Sequence, residues 1–321
     1  MENSAVLSVD HLQTCFFTKK GKVMAVDDVS FDLLKGEILC IVGESGSGKT
    51  VTALSILRLI DHPGRITGGK IMFGKKNLLE LTIRELQDIR GNRISMIFQD
   101  PHSSLNPVFT TGDQISEAIT AHRSVSRKEA DARAIELLEL VGIPIPEERF
   151  HEYPHQFSGG MKQRATIAMA LACAPDILIA DEPTTALDLT IQAQMLDLFS
   201  ELRKKFNMSI IYITHDLGVV SEIADHVAVM YAGRIMEKGC RDDILKNPKH
   251  PYTKGLIDCL PSEKGKPASI PGTIPNLINP PEGCIFHPRC RFAMEICRLR
   301  RPMPSKTNNE HYVSCFLYGD I

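Results

Sequence analysis

Five short apolar runs punctuate the first three quarters of the chain, at 37–42, 95–98, 177–180, 209–214 and 226–231. They are dominated by Ile, Val and Leu and show little alternation with polar residues. Their length suits strands better than helices, and their continuous apolar character suits strands buried on both faces of a mostly parallel sheet. Between them, apolar positions recur at helical spacing. The clearest case is 126–141, where Ile135, Leu137, Leu138 and Val141 fall on one side of the predicted helix. Strands alternating with helices predict an α/β fold. From Gln99 to Ser158 the pattern is mainly helical, which predicts a helical subdomain at about 100–157 inserted into that fold.

The pattern breaks near residue 240. Eleven of the nineteen prolines lie beyond it, from Pro248 to Pro304, and that density rules out long helices or central strands. The expected organisation is therefore a domain at 1–240 followed by a small loop-rich extension at 241–321. A chain of 321 residues is long enough for two domains. Its net charge of −2 gives no global argument for nucleic acid. No apolar run approaches the roughly 18 residues of a membrane span. The opening Met1-Glu2-Asn3-Ser4 does not read as a signal peptide.

The chemistry begins after the first apolar run. Ile38-Leu39-Cys40-Ile41-Val42 leads into Gly43-Glu44-Ser45-Gly46-Ser47-Gly48-Lys49-Thr50, which spells G-x-x-x-x-G-K-S/T. A strand, a glycine turn and a helix start are the context of a phosphate-binding loop. The glycines let successive N–H groups point inward at phosphate oxygens. Lys49 is placed for the β- and γ-phosphates, the Thr50 hydroxyl for Mg²⁺, and the N–H groups of Thr50 and Val51 for the anion at the helix start. A second apolar run, Ile177-Leu178-Ile179-Ala180, ends in Asp181-Glu182. Asp181 can hold Mg²⁺ through water, and Glu182 can act as general base on a water attacking the γ-phosphate.

Ser158-Gly159-Gly160-Met161 precedes a helical apolar segment, with Ser158 a good N-cap. Alone, that segment is only a capped helix start. Together these motifs resemble the ATP-binding subunits of ABC transporters, and residues 157–161 resemble their signature motif, departing at Met161 where Gln is usual. The resemblance implies a P-loop NTPase domain of the ABC type with an inserted helical subdomain. It implies a head-to-tail dimer in which Ser158, Gly159 and Gly160 face the ATP of the partner. Gln99 resembles the glutamine that senses Mg²⁺ and the attacking water, and His215 the switch histidine on the γ-phosphate. Asp188 resembles the aspartate linking the two sites, and Phe16 the aromatic that stacks on adenine, with Phe17 an acceptable substitute.

The tail carries four of the nine cysteines, Cys284, Cys290, Cys297 and Cys315, separated by five, six and seventeen residues. Their crowding in a coreless segment argues for a metal staple. The gaps are wider than the usual zinc pairs and suit a cluster held from separate loops, although zinc or free thiols remain readings of the spacing alone. The tail, the stretch from Gln99 to Pro107 and residues 247–253 together resemble the dipeptide/oligopeptide (and nickel) importer subfamily. That resemblance implies a four-iron four-sulfur (4Fe-4S) cluster on the four cysteines. It implies ATP hydrolysis that energises peptide import, with a related second ATPase or a second copy, two transmembrane permeases and an extracytoplasmic peptide-binding protein. The expected location is the cytoplasmic face of the membrane, peripherally bound, with no nucleic acid. The competing reading is a soluble ABC ATPase with a metal cluster acting on ribosomes or nucleic acid. Arg289, Arg291, Arg298, Arg300 and Arg301 read either as a solvated basic loop or as a contact for partners or lipid, and His287 and His311 as ordinary surface or loop histidines.

Overall fold

The computed structural model describes residues 5–100, 104–185, 188–260, 269–308 and 310–319. They fall into two units, one formed from 1–79 and 213–321 and one from 80–212. The first unit opens with an antiparallel sheet that the hydropathy pattern does not announce. Strand β1 (Ala5–Thr18) pairs antiparallel with β2 (Gly21–Leu34) and with β4 (Gly64–Phe73), and β4 with β5 (Lys76–Asn77), in the order β2-β1-β4-β5. Register shifts between Val9 and Leu12 and between Thr14 and Cys15 break the strict alternation of β1. His11 sits at φ +50° in the first of these irregularities.

Strand β3 (Ile38–Val42) has all five residues buried, as a strand covered on both faces requires. It runs parallel to β9 (His226–Tyr231), with Leu39 opposite His226 and Val42 opposite Val229. Strand β10 (Arg234–Cys240) returns antiparallel to β9. The tail then adds to this sheet. Strand β12 (His311–Val313) pairs with β10, placing Val313 opposite Glu237, and β11 (Ser305–Asn308) pairs with β12. The extension expected to be loop-rich contributes two short strands, of four and three residues, to the first unit.

Glu237 and His311 are both fully buried where tail and sheet meet. The Glu237 carboxyl accepts the N–H groups of Lys249 at 2.6 Å and His250 at 3.0 Å, and lies 2.7 Å from His311 Nε2. His311 is therefore not a surface residue; it is the anchor of β12. His250 Nδ1 accepts the Tyr252 N–H at 3.0 Å, which starts helix Pro251–Asp258. Burial pushes His250 down to about 3, so its ring is neutral and free to accept.

In the second unit β6 (Ile94–Ile97) runs parallel to β7 (Ile177–Asp181), pairing Ile97 with Ala180. The helices expected at 100–157 are present as Thr111–Thr120, Arg127–Leu140 and Pro146–Phe150, with residues 101–103 outside the described set. Ser126 and Glu129 form a reciprocal capping box that fixes the start of the second of these. Gly112 is obligatory because the Phe150 ring fills the place of its side chain, 2.2 Å from where a Cβ would sit. Strand β8 (Ser209–Thr214) carries the chain from the second unit back into the first.

Replacing Glu237 with Ala should cost about 3 kcal/mol or more, because two backbone donors and the His311 ring lose their acceptor together. A fall in the urea midpoint at unchanged slope checks this; a shift equivalent to less than about 1 kcal/mol contradicts it.

Candidate functional site

The loop after β3 is shaped by what its glycines leave out. A Cβ on Gly43 would lie 2.1 Å from the Met230 carbonyl oxygen, and one on Gly48 would lie 2.3 Å from that of Ala25. Gly48 also sits at φ +100° and Gly46 at φ +77°, a region that L side chains avoid. The chain can therefore curl tightly between two other backbones. Ser47 N–H donates to Glu44 O at 3.1 Å, and Gly233 N–H to Ser47 O at 2.8 Å. Lys49 Nζ folds back over the turn, donating to the carbonyls of Gly43 at 2.8 Å and Glu44 at 3.2 Å. Helix Lys49–Ile56 starts at Gly48 with no side-chain cap, so its first N–H groups retain their positive potential. Ser45 and Thr50 are exposed, Val51 half-buried, and the buried Ser47 Oγ has no partner among the described residues. An uncapped helix start, a folded lysine and an orphaned hydroxyl form a receptor for a polyphosphate.

The tail reaches this loop. Arg289 donates from Nη1 to Glu44 Oε2 at 2.7 Å and from Nη2 to Glu44 Oε1 at 3.1 Å. The Tyr252 hydroxyl accepts the Glu44 N–H at 3.0 Å. Reading Arg289 as part of a solvated basic surface is corrected here: its side chain is 5% exposed. Arg301 is also engaged, 2.9 Å from Asp28, whereas Arg291, Arg298 and Arg300 are exposed as expected. Neither Arg289 nor Tyr252 was assigned to the loop from the sequence, and no local pattern marks them, since their partner is more than 200 residues away.

In the second unit Asp181 ends β7 and is 1% exposed. Glu182 follows at φ +46°, an unusual conformation for a non-glycine residue and a common accompaniment of functional sites. Its Oε2 accepts from Gln99 Nε2 at 3.2 Å and from Thr185 Oγ1 at 3.0 Å. The structure thus brings together Gln99 and Glu182, two residues 83 positions apart, and adds Thr185, which the sequence reading missed. Ser158 caps helix Gly159–Ala170, its Oγ accepting the Met161 N–H at 3.3 Å. Nothing lies within 4 Å of a Cβ placed on Gly159, while on Gly160 it would touch Ile191 at 3.5 Å. Asp188 caps the 18-residue helix Leu189–Phe206. Ala186 and Leu187, in the same stretch, lie outside the described residues.

His215 follows β8 in the first unit and is exposed. Phe16 is half-buried on β1, and its neighbour Phe17 is 48% exposed with the Arg65 guanidinium 5.9 Å from its ring centroid.

The four tail cysteines are gathered into one neighbourhood. Cys284, Cys297 and Cys315 are buried and Cys290 half-buried. Burial pushes Cys284 up to about 11, with further upward pressure from Cys297, Cys315 and Cys290. Burial also pushes Cys315 up to about 11, and Cys290 and Cys297 add to it. Met294 N–H donates to Cys297 Sγ at 3.5 Å, and Cys284 N–H to Cys297 O at 2.8 Å. A thiol-only donor set fits a thiolate-ligated group. Among the described residues, however, no group of three or more His, Cys, Asp or Glu side chains is placed to hold a metal ion. The sulfurs are neighbours without forming a coordination shell.

Comparison with known proteins agrees with the motifs. The model of the ABC transporter family matches residues 26–185, and that of the oligopeptide/dipeptide transporter C-terminal region matches 236–297. The chain is 52% identical over 316 residues to the dipeptide transport ATP-binding protein DppD of Bacillus subtilis, covering 97% of this chain and 94% of that one. It is 52% identical over 317 residues to the oligopeptide transport ATP-binding protein OppD of the same organism, covering 97% and 88%. Among solved structures it resembles the dimeric ATP-binding cassette MJ0796 in a post-hydrolysis state bound to ADP and Pi. The TM-score is 0.66 and the identity 26%, over 73% of this chain and 98% of that one.

Substituting Gly48 with Ala forces a side chain against the Ala25 carbonyl at a strained φ. Binding of inorganic tripolyphosphate, followed by calorimetry, should weaken at least about tenfold, since such strain costs on the order of 1–3 kcal/mol. Undiminished binding would show that the loop does not close on the anion.

Proposed function

This chain belongs to the ATP-binding proteins of the ABC transporters, in the dipeptide and oligopeptide branch, and from that premise we propose that it is the ATP-hydrolysing subunit energising import of di- and oligopeptides through membrane-embedded permeases. The observation that carries the reading is the near-full-length similarity to the DppD protein, tail included. The site geometry supplies the chemistry.

ATP is the substrate. Its phosphates lie in the turn built by Gly43, Ser45, Gly46, Ser47 and Gly48, against Lys49 and the N–H groups of Thr50 and Val51. Phe16 is the stacking face for adenine, with Phe17 the exposed alternative beside it. Thr50 in the first unit, and Gln99 and Asp181 in the second, offer oxygen donors of the kind a hard cation takes, and Mg²⁺ would neutralise charge on the β- and γ-phosphates. Glu182 takes the proton of the attacking water. Its carboxylate is oriented by Gln99 and Thr185. His215 holds the γ-phosphate.

Closure requires a second nucleotide domain. Ser158, Gly159 and Gly160 present an open helix start, and in this reading they complete the ATP site of the facing subunit, with Asp188 at the same interface. A related second ATPase or a second copy supplies the other half. No helix among the described residues is long and apolar enough to cross a membrane. The work is therefore delivered to two permease subunits from the cytoplasmic face, with peptide brought by an extracytoplasmic binding protein. The four cysteines would hold a 4Fe-4S cluster, which would staple the separate segments of the tail. Their convergence in one buried neighbourhood and the absence of a tight zinc-type pair support this ligand set.

Glu182→Gln should lower ATP turnover by at least about a hundredfold while a nucleotide-loaded dimer accumulates on size exclusion. An unchanged rate would remove Glu182 as the base. Vesicles carrying the permeases should accumulate a labelled dipeptide only with the active subunit; ATP turnover unaffected by permeases and peptide would sink the transport reading.

Protein purified without oxygen should contain about four irons per chain and lose them in Cys290→Ser. Stoichiometric zinc in their place would overturn the cluster.

A further inference from the structure

We propose that Arg289 is a positioning residue for the phosphate loop: by pairing with Glu44 it neutralises and holds a carboxylate that would otherwise repel the triphosphate. It thereby couples Mg-ATP affinity to the fold of the cysteine tail. The inference rests on the reading of residues 43–50 as the ATP-binding loop and adds a regulator to it.

Glu44 is the second residue of that loop, so its charge lies beside the place where phosphate oxygens collect. An anion there is unfavourable unless neutralised, because like charges a few ångströms apart cost several kcal/mol outside bulk water. Arg289 neutralises it with two parallel N–H···O bonds, a geometry available to arginine and not to lysine. The guanidinium is committed to this place. Nε donates to Pro271 O at 2.9 Å and Nη1 to Tyr231 Oη at 3.3 Å, and the guanidinium carbon is 5.6 Å from the Tyr231 ring centroid.

The same loop residue touches Lys49, the lysine of the phosphate loop. Glu44 O accepts from Lys49 Nζ at 3.2 Å and from Ser47 N at 3.1 Å, while Glu44 N–H donates to Tyr252. Displacing the Glu44 side chain therefore disturbs the lysine as well as the charge. On the tail side Arg289 ends the single turn His287–Arg289, bounded by Cys284 and Cys290. His287 N–H donates to Cys284 O at 2.9 Å and Cys290 N–H to His287 O at 3.2 Å. Phe286 seats the turn by packing against Tyr231 and Tyr252, at centroid distances of 5.2 and 5.3 Å. Whatever orders the cysteines orders this arginine.

The test is Mg-ATP binding to the full-length chain by calorimetry. Wild type must bind, or the loop reading itself fails. Arg289→Met should bind at least about tenfold more weakly, and Arg289→Lys should recover only part of the loss. Adding Glu44→Gln to Arg289→Met should restore affinity to within about threefold of wild type, because the unpaired charge is gone. An arginine that merely supports the fold would give no such rescue, so equal loss in single and double variants overturns the proposal. Wild-type affinity in Arg289→Met overturns it too. Should Arg289→Met fail to fold, Glu44→Gln alone should bind several-fold more tightly; unchanged or weaker binding there is fatal. Finally, saturating Mg-ATP should slow amide exchange over 284–290 in wild type and not in the double variant, as reciprocal coupling requires. Equal protection in both would rule out the link to the tail.

Discussion

The carbonyl oxygens of Met230 and Ala25 stand where side chains of Gly43 and Gly48 would have to go. Everything at the phosphate loop follows from this crowding. The loop cannot be widened without pushing on the end of β9, and it cannot be straightened without breaking the bond from Gly233 to Ser47. Lys49 then has nowhere to go but back across the turn. The result is a set of N–H groups fixed before any ligand arrives, which spares binding the cost of ordering them.

The second unit solves a different problem. The general base proposed at Glu182 requires a carboxylate held in a defined direction. Glu182 is aimed by an uncommon backbone conformation at the end of a buried strand and by two side-chain donors on the same oxygen. Both of those donors are uncharged, an amide and a hydroxyl. The contrast with Glu44 is instructive. There a carboxylate in a comparable setting is paired bidentately with a buried arginine and so held away from chemistry. The two carboxylates thus differ in their neighbours, one beside an amide and a hydroxyl and the other beside a guanidinium.

Much of this was legible in the chain. The runs at 209–214 and 226–231 are the strands β8 and β9 without adjustment, and the helix expected at 126–141 occupies Arg127–Leu140. β7 extends one residue further than its apolar run, because Asp181 is buried with the strand. The opening antiparallel sheet was not legible, since its bulges shift the register and put adjacent residues such as Thr14 and Cys15 both inside. The phosphate loop and the Asp-Glu pair stand out in the chain because each motif is local in sequence. The Arg289 contact does not: a basic residue in a proline-rich tail looks like solvent-facing charge until the fold places it against a residue 245 positions earlier. His311 was misread for the same reason, its partner Glu237 lying 74 positions back.

The two ends of the first unit also set a timetable. Residues 1–79 share that unit with 213–321, while the middle of the chain forms the other. As the polypeptide leaves the ribosome, β3 and its loop appear long before β9, which pairs with β3, and longer still before β12 reaches Glu237. At ordinary elongation rates that interval is on the order of tens of seconds. The nascent loop is therefore without its Met230 wall while the rest is being made, and the second unit, contiguous in the chain, has time to assemble first. The loop cannot take its shape before β9 and Gly233 arrive, so a product of translation that stops short of them carries the loop's sequence without that shape.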